Sequence, residues 1–411
     1  MFNKNNYQII ELEEKKEADD EKKNKILIFF ILFLLLILLA IIFFYNITIF
    51  SNFKFLISFM GTQREIKKIE KFVKLCNNKS KVIKQYKVIK NNPKISIISP
   101  LYNRERYILR LLKCIQNQNF QDIEIILFDD FSIDNSIKII EDYKKVDKRI
   151  KLIKNKYNKG TFVSRNLAAL YSKGKYIIII DPDDIISKNI LSMCYKYCEK
   201  YNYEMIRFNM YTATGKFTLD NIINQLNTFP IYQPDLSFYL FYGKKELEKI
   251  DYHIVNKFIK KEVYVKAINS IDNYYLNMHI IYRDDSIINY ILYRISKSYI
   301  FIKKIGYYYG INSLGVTKNL FSRTDLRIKF AFVFLNIVFE YSKNTKYEKD
   351  MFNFLFTNFK KKFSPFHIFS ALTRNPKYYY DFINEYLSCK FVTKENKIIL
   401  KSFQKIIKNK I

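Results

Sequence analysis

The chain has 411 residues, 49% of them hydrophobic, and carries a formal net charge of +31. This length and apolar content exclude an intrinsically disordered chain and allow one large domain with additions, or two domains. Because the lysines are spread along the whole chain and form no recognised nucleic-acid motif, we interpret the charge as a compositional bias and predict no nucleic-acid partner.

The cysteines and histidines are too few and too scattered to organise the fold. There are five cysteines and three histidines, and no Cys-x-x-Cys occurs. Cys194 and Cys198 share a face of a predicted helix, but a structural zinc site needs two further ligands close by. The sequence therefore predicts neither a disulfide framework nor a zinc site.

The N-terminal residues carry the pattern of a membrane anchor. Residues 26–45 form an unbroken apolar run, which as a helix would be about 30 Å long and match a bilayer core. The run is too long and too rich in Leu, Ile and Phe for a cleaved signal peptide. We therefore predict a tail at 1–25, a transmembrane helix at 26–45 and a stem at 46–92 in a single-pass membrane protein.

From Pro93 onward, short apolar runs alternate with amphipathic segments. Such alternation predicts an α/β fold, in which helices cover both faces of a mainly parallel sheet. Asn103 is the predicted cap of the first helix. Strands are predicted at 95–99, 123–128, 150–153 and 176–180, and helices near 104–116, 137–143 and 161–171.

Polar clusters follow three of the four predicted strands. Tyr102 and Asn103 follow the first strand, Asp129 and Asp130 end the second, and residues 181–184 follow the fourth. Since ligands bind beyond the carboxyl ends of parallel strands, these clusters predict one shared site. One of the two aspartates after the second strand could accept hydrogen bonds from a base or ribose, and the other could cap the next helix.

The segment Asp181-Pro182-Asp183-Asp184 predicts a divalent metal site. Its three carboxylates repel one another at the end of a buried strand unless a cation or donor groups neutralise them. Mg²⁺ or Mn²⁺ suits such oxygen ligands and leaves positions open for substrate phosphates. The alternative is a strand-to-helix turn in which Asp184 is a cap.

The C-terminal residues 321–411 predict a helical and aromatic region without recognisable chemistry. Aromatic side chains at helical spacing favour packing against the preceding domain. The alternative is a basic amphipathic surface that lies on the membrane. Residues 205–250 predict no particular element.

A series of strings in the first half occurs in an order and spacing shared with a known protein family. They are Ser-Ile-Ile-Ser-Pro-Leu-Tyr-Asn (96–103), Gln-Asn-Phe (118–120), Glu-Ile-Ile-Leu-Phe-Asp-Asp-Phe-Ser-Ile-Asp (124–134), Asn-Lys-Gly (158–160), Arg-Asn (165–166), Gly-Lys-Tyr-Ile (174–177) and Asp-Pro-Asp-Asp (181–184). With these strings, residues 95–190 resemble the nucleotide-binding half of family-2 glycosyltransferases, which have the GT-A fold, a Rossmann-like arrangement.

The resemblance implies a GT-A domain at 93–320 that takes a nucleotide-diphosphate sugar, with a UDP-sugar favoured. Pro100 and Tyr102 would border the nucleotide, and Asp130 would contact its base. The donor-binding residues implied are Pro100, Tyr102, Asp130, Arg165, Asp181 and Asp184, and the implied ligands of Mn²⁺ or Mg²⁺ are Asp181 and Asp183.

The second half resembles the family at fewer positions. Residues 256–261 resemble the segment before the acceptor site, and Asp284-Asp285 stands where the family usually has Glu-Asp. Asp285 is therefore the candidate catalytic base, and Asp284 is its rival, because adjacent side chains should diverge and only one should face the acceptor. Alternatively, both are helix caps. At residues 310 and 312 the chain has Gly and Asn, where many members have Arg and His near the diphosphate.

We therefore expect a metal-dependent, inverting, hexosyltransferase-like enzyme that transfers a sugar to a hydroxyl of a glycan, a glycoprotein or a lipid. The lysines flanking the anchor only slightly favour a cytoplasmic N-terminus, and we expect a lumenal catalytic domain in the Golgi or ER. One alternative is a cytosol-facing transferase that loads a lipid-linked acceptor. Another is a catalytically inactive GT-A-like module that binds or scaffolds at a membrane.

Overall fold

The computed structural model describes residues 64, 67–68, 70–77, 92–212, 231–232, 253–280 and 284–310, with scattered residues between 333 and 408. The chain divides into two compact units, 1–64 and 65–411, and every element below belongs to the second. The predicted tail, transmembrane helix and most of the stem lie outside the described residues, and the predicted C-terminal helices are described only at single positions. Within the described ranges, no helix is long and apolar enough to cross a membrane.

Strands and helices alternate through the first half of the described domain. In chain order they are β1 (Ile95–Leu101), α1 (Glu105–Gln116), β2 (Ile123–Asp129), α2 (Ser136–Lys144), β3 (Ile150–Lys154), α3 (Thr161–Tyr171) and β4 (Tyr176–Ile179). Neighbours in the order β3-β2-β1-β4 all pair in parallel. Strands β1, β2 and β4 are wholly buried, as expected of a parallel sheet covered on both faces. The predicted α/β alternation is confirmed here.

Strand β1 continues through Pro100, which had been expected to end it. Pro100 pairs with Phe128 of β2, but the pairing of β1 with β4 ends earlier, at Ile98. The missing N–H of proline is therefore tolerated, because among the described residues no strand pairs with the other side of β1 at that point.

The second half makes the sheet mixed rather than mainly parallel. Its elements are β5 (Ile185–Ile186), α4 (Ile190–Tyr201), β6 (Met205–Thr212), β7 (Ile231–Tyr232), β8 (Lys257–Lys260), α5 (Lys261–Asn269), α6 (Asn273–Leu276), α7 (Asp284–Ile295) and β9 (Ser298–Tyr309). The described strands follow the order β3-β2-β1-β4-β8-β6-β9-β5, with β7 paired to β9. Strand β8 lies between β4 and β6 and runs antiparallel to both. The strand–helix alternation of the first half could not predict this insertion.

The start of α1 is capped from a neighbouring turn rather than by Asn103. Asn103 has a φ of +52° and its side chain accepts a backbone N–H from the turn after β2. The N–H of Glu105 donates to Oδ2 of Asp134 at 3.0 Å, and the N–H of Arg104 donates to the hydroxyl of Ser136 at 2.8 Å. The predicted cap is therefore wrong, because side chains distant in sequence satisfy the free N–H groups of the helix.

Candidate active site

The turn after β4 carries the three predicted carboxylates, and the end of β9 crosses closely over it. The hydroxyl of Tyr307 donates to Oδ2 of Asp184 at 2.6 Å, and the N–H of Gly310 donates to Oδ1 at 2.7 Å. A Cβ atom at residue 310 would lie 2.1 Å from the carbonyl oxygen of Asp183. Only glycine fits this crossing without displacing the turn.

Asp184 is a buried anchor of this turn. Its exposed fraction is 1%, and both carboxylate oxygens are bonded inside the protein. Burial raises the pKa of Asp184 well above its ordinary value, and the neighbouring Asp181 and Asp183 raise it further. Asp184 therefore fixes the turn to β9, whereas its contact with a nucleotide sugar stays a prediction.

The guanidinium of Arg165 joins the turn after β4 to the start of α7. Arg165 lies on α3, and its side chain is only 4% exposed. Its Nη2 lies 3.5 Å from Oδ1 of Asp181, and its Nη1 lies 3.0 Å from Oδ2 of Asp284 and also contacts Oδ1 of Asp285. Three carboxylates therefore converge on one buried cation, and they are named here the Arg165 cluster.

The two aspartates at the start of α7 both belong to the Arg165 cluster. The expectation that Asp284 and Asp285 would diverge is therefore wrong, because both side chains contact the same Nη1 of Arg165. Asp285 also accepts the N–H of Ile254 at 3.3 Å. The side chain of Asp285 is 25% exposed and that of Asp284 is 16% exposed, so Asp285 is the more accessible to solvent.

Burial and mutual repulsion shift the titration of this cluster. Burial raises the pKa of Asp181 from 3.8 to about 7; Arg165 lowers it, whereas Asp285 and Asp183 raise it further. Burial, followed by repulsion from Asp285, raises the pKa of Asp284 to about 6. Burial alone would lower the pKa of Arg165, but the surrounding carboxylates raise it above its ordinary value. The cluster therefore holds more negative charge than one arginine balances.

Arg110 is a second guanidinium at the turn, and the sequence analysis missed it. Its Nη2 donates to the carbonyl oxygen of Asp183, and its Cζ lies 5.7 Å from the centre of the Tyr107 ring. The sequence also indicated no role for Tyr307, whose hydroxyl donates to the buried Asp184. No local pattern distinguishes these residues, since only the packing of α1 and β9 brings them to the turn.

Asp130 holds the loop between β3 and α3 at the end of β2. It is 4% exposed. Its carboxylate accepts hydrogen bonds from Nδ2 of Asn155 at 2.7 Å, the N–H of Lys159 at 2.8 Å and the N–H of Gly160 at 2.7 Å. The predicted contact of Asp130 with a base stays a prediction, and the positioning of this loop is a role that the sequence did not indicate.

The ends of β1 and β2 meet at one edge of the sheet. Leu101 pairs with Asp129, so the residues that follow both strands are neighbours. Pro100 is buried within β1, and Tyr102 beyond it is 41% exposed. The structure therefore brings the residues after β1, β2 and β4 to the same carboxyl edge, while residues 257–260 of the predicted acceptor segment form the core strand β8.

The turn after β4 meets the requirements of a magnesium or manganese site only in part. Among the described residues, no group of three or more His, Cys, Asp or Glu side chains could hold a metal by itself. At phosphate-transfer sites such ions take one or two carboxylates from the protein, and water and phosphates complete their coordination. Asp181 and Asp183 fit this smaller requirement, because both are partly exposed oxygen donors on one turn beside an excess of negative charge.

Comparisons with known proteins concern the part of the chain that carries this site. The family model of Glycosyl transferase family 2 matches residues 96–267. Glycosyltransferase GlyG of Streptococcus pneumoniae is 32% identical over 117 residues, which are 28% of this chain and 39% of that protein. The GalNAc(5)-diNAcBac-PP-undecaprenol beta-1,3-glucosyltransferase of Campylobacter jejuni is 36% identical over 101 residues, 24% of this chain and 33% of that protein. The matches thus span at most about two fifths of these relatives.

The fold is similar to that of TarS from S. aureus. The structure of TarS 1–349 covers 77% of this chain and 89% of its own, with a TM-score of 0.53 and 17% identity. A structure of the same protein in complex with UDP-GlcNAc gives a TM-score of 0.52 at 16% identity, with the same coverage. The family match spans the four parallel strands, Arg165 and the turn after β4, so residues 96–267 are similar to Glycosyl transferase family 2.

Proposed function

We propose that this chain is a metal-dependent, inverting glycosyltransferase that moves a sugar from a nucleotide-diphosphate donor to an acceptor hydroxyl. The Arg165 cluster carries the proposal. It brings Asp181, from the turn that would bind the donor, and Asp285, from the start of α7, into contact with the same guanidinium. A donor held at this turn would have its reacting carbon close to a carboxylate that can accept a proton.

In the proposed reaction, the acceptor oxygen attacks the anomeric carbon of the donor sugar. The bond from that carbon to the diphosphate oxygen breaks, and the nucleoside diphosphate leaves with the electron pair. Asp285 accepts the proton of the acceptor hydroxyl. Because attack and departure take place on opposite faces, the configuration at this carbon inverts. Arg165 is a positioning residue, since it holds Asp285 against the donor side.

Asp181 and Asp183 would hold Mn²⁺ or Mg²⁺, which, when bound, neutralises charge on the diphosphate. The excess of carboxylates over guanidinium in the Arg165 cluster supports this assignment, since a divalent cation would stabilise it. Asp184, buried beneath, would keep the turn in place and act on the donor only through it.

The favoured donor is a UDP-sugar, bound at the carboxyl edge near Pro100, Tyr102 and Asp130. The support is the similar fold of TarS, which has been solved with UDP-GlcNAc. The acceptor would be a glycan, a glycoprotein or a lipid. The printed name of the Campylobacter relative, with its PP-undecaprenol-linked glycan, favours a glycan or lipid.

A donor-hydrolysis and transfer screen tests the proposed function. The full-length chain in detergent would be incubated with a panel of nucleotide sugars and Mn²⁺, and release of nucleoside diphosphate measured. We expect turnover in the wild type, and we expect a chelator or the substitution Asp183→Ala to abolish it. Asp142→Ala should keep the wild-type turnover, since Asp142 lies on the exposed face of α2. Nucleotide binding without turnover for any donor would favour the inactive module instead, and equal affinity with and without metal would refute the metal site.

The apolar run at residues 26–45 would anchor the enzyme in a membrane, with the catalytic domain in the lumen of the Golgi or ER. The support is the length of the run, which matches a bilayer core. Asn78-Lys79-Ser80 is a glycosylation sequon, so a glycosidase-sensitive size shift that disappears in Asn78→Gln would support lumenal exposure. Protease digestion of the domain in sealed vesicles would place it on the cytosolic side.

A further inference from the structure

Phe131, the residue after Asp130, has a backbone conformation that disfavours a large side chain. Its φ is +73°, in the left-handed region. The other described non-glycine residues with positive φ are Asn103 and Asn202, and asparagine tolerates this region because its amide can form local hydrogen bonds. Phenylalanine has no such group, so glycine would suit this position better.

Hydrogen bonds on both sides of Phe131 hold the strained turn. The carboxylate of Asp129 accepts the N–H of Ser132 at 3.1 Å, and the hydroxyl of Ser132 accepts the N–H of Asn103 at 2.9 Å. Asp130 is bonded to two N–H groups of the loop after β3. None of these bonds involves the side chain of Phe131, so the turn is fixed without it.

The ring of Phe131 is open to solvent at the edge where the nucleotide would bind. It is 48% exposed, lies outside the hydrophobic core and contacts no other aromatic ring among the described residues. Tyr102, which is 41% exposed, follows the neighbouring strand, since Leu101 pairs with Asp129. Two partly exposed aromatic side chains therefore follow adjacent parallel strands.

We propose that Phe131 packs its ring against the nucleobase of the donor. The assignment rests on the proposed function, since it requires a nucleotide at this edge. An aromatic side chain can stack on any base because every base has a π-face. The turn gains nothing from a phenylalanine at φ +73°, whereas a bound base would cover the exposed ring.

Two substitutions at Phe131 separate the base contact from the strain. In the full-length chain, Phe131→Gly should raise the Tm by about 2 to 4 °C, because glycine relieves the strain. It should also raise the Kd for UDP, measured by calorimetry with Mn²⁺, by about tenfold, or about 1.4 kcal/mol. Phe131→Tyr should keep the Kd close to that of the wild type, because it keeps the ring.

Inorganic pyrophosphate and Asn202→Gly are the controls. Pyrophosphate has no base, so its Kd, measured by competition with UDP, should be the same in the wild type and in Phe131→Gly. Asn202 has a φ of +55° at the end of α4. It lies just before β6, at the end of the sheet opposite the carboxyl ends of β1 and β2, so Asn202→Gly should not change the affinity for UDP. Unchanged UDP affinity in Phe131→Gly, or equal weakening of UDP and pyrophosphate, would overturn the assignment. A wild-type chain that binds no nucleoside diphosphate would overturn the proposed function as well.

Discussion

Removal of the buried charge of Arg165 should destabilise the fold by an amount that depends on pH. Arg165→Met leaves Asp181, Asp284 and Asp285 without their shared cation, in a place where the arginine is only 4% exposed. Removing one partner of a buried ion pair costs about 3 to 5 kcal/mol. The carboxylates are themselves partly exposed and can take up protons, so we expect the lower end, about 3 kcal/mol at pH 8.

The pH dependence follows from the pKa values of two of these carboxylates. Asp181, with a pKa of about 7, and Asp284, with a pKa of about 6, titrate above their ordinary value of 3.8. The folded protein therefore binds more protons than the unfolded chain between about pH 4 and pH 7, and its stability falls as the pH rises through that window. Because Arg165 lowers both pKa values, its removal extends the window upward. The loss in Arg165→Met should be smallest near pH 5 and grow toward pH 8.

Urea unfolding of the full-length protein, followed by tyrosine fluorescence, measures this loss, since the chain has 34 tyrosines and no tryptophan. Arg149→Met is the matched control. It removes the cation of another buried pair, in which Nη2 of Arg149 lies 2.6 Å from Oδ2 of Asp147. This pair directly precedes β3, at the end of the sheet opposite the candidate site. The control should lose comparable stability but keep turnover per folded molecule, whereas Arg165→Met should lose turnover. A loss below about 1 kcal/mol at pH 8, or one that is constant from pH 5 to pH 8, would refute the balance of charge described here.

Four further substitutions test the site and the fold. Asp285→Asn should lower the catalytic rate by a factor on the order of 100 or more and leave the donor affinity little changed, whereas Asp284→Asn should lower the rate much less. If steady-state kinetics show the reverse, Asp284 is the base. If neither substitution slows the reaction, α7 does not belong to the site. Tyr307→Phe should cost about 1 to 3 kcal/mol in urea unfolding, because the buried Asp184 loses a donor, and an unchanged midpoint would contradict that role. Burial raises the pKa of Glu124, but hydrogen bonds from a lysine, a serine and a backbone N–H lower it below 4.5. The ionised Glu124 therefore contributes its full stabilisation above about pH 4.5 and loses it as the pH falls through the pKa of the folded state. In Glu124→Gln, the free energy of unfolding should depend less on pH below about pH 4.5 than in the wild type. A pH dependence parallel to that of the wild type would contradict this role.

Local sequence patterns were sufficient for the first half of the described domain. Strands β1 to β4 are short apolar runs, and α1 and α3 have the spacing of amphipathic helices, so their order and type could be predicted within one or two residues. The clusters at residues 102–103, 129–130 and 181–184 could be placed at one edge, because consecutive parallel strands end on the same side of a sheet. Each of these inferences needs only neighbouring residues and a general rule of topology.

Tertiary packing alone decided how the site is closed. Arg165 meets Asp284 and Asp285 across 119 and 120 residues of sequence, and Gly310 lies against Asp183 because β9 returns to the turn after β4. No periodicity encodes such contacts, since they depend on β8 being inserted between β4 and β6 and on β9 pairing beyond β6. The residue types proposed to carry the chemistry are therefore visible in the sequence, whereas their charge balance and their burial arise only when distant segments are packed together.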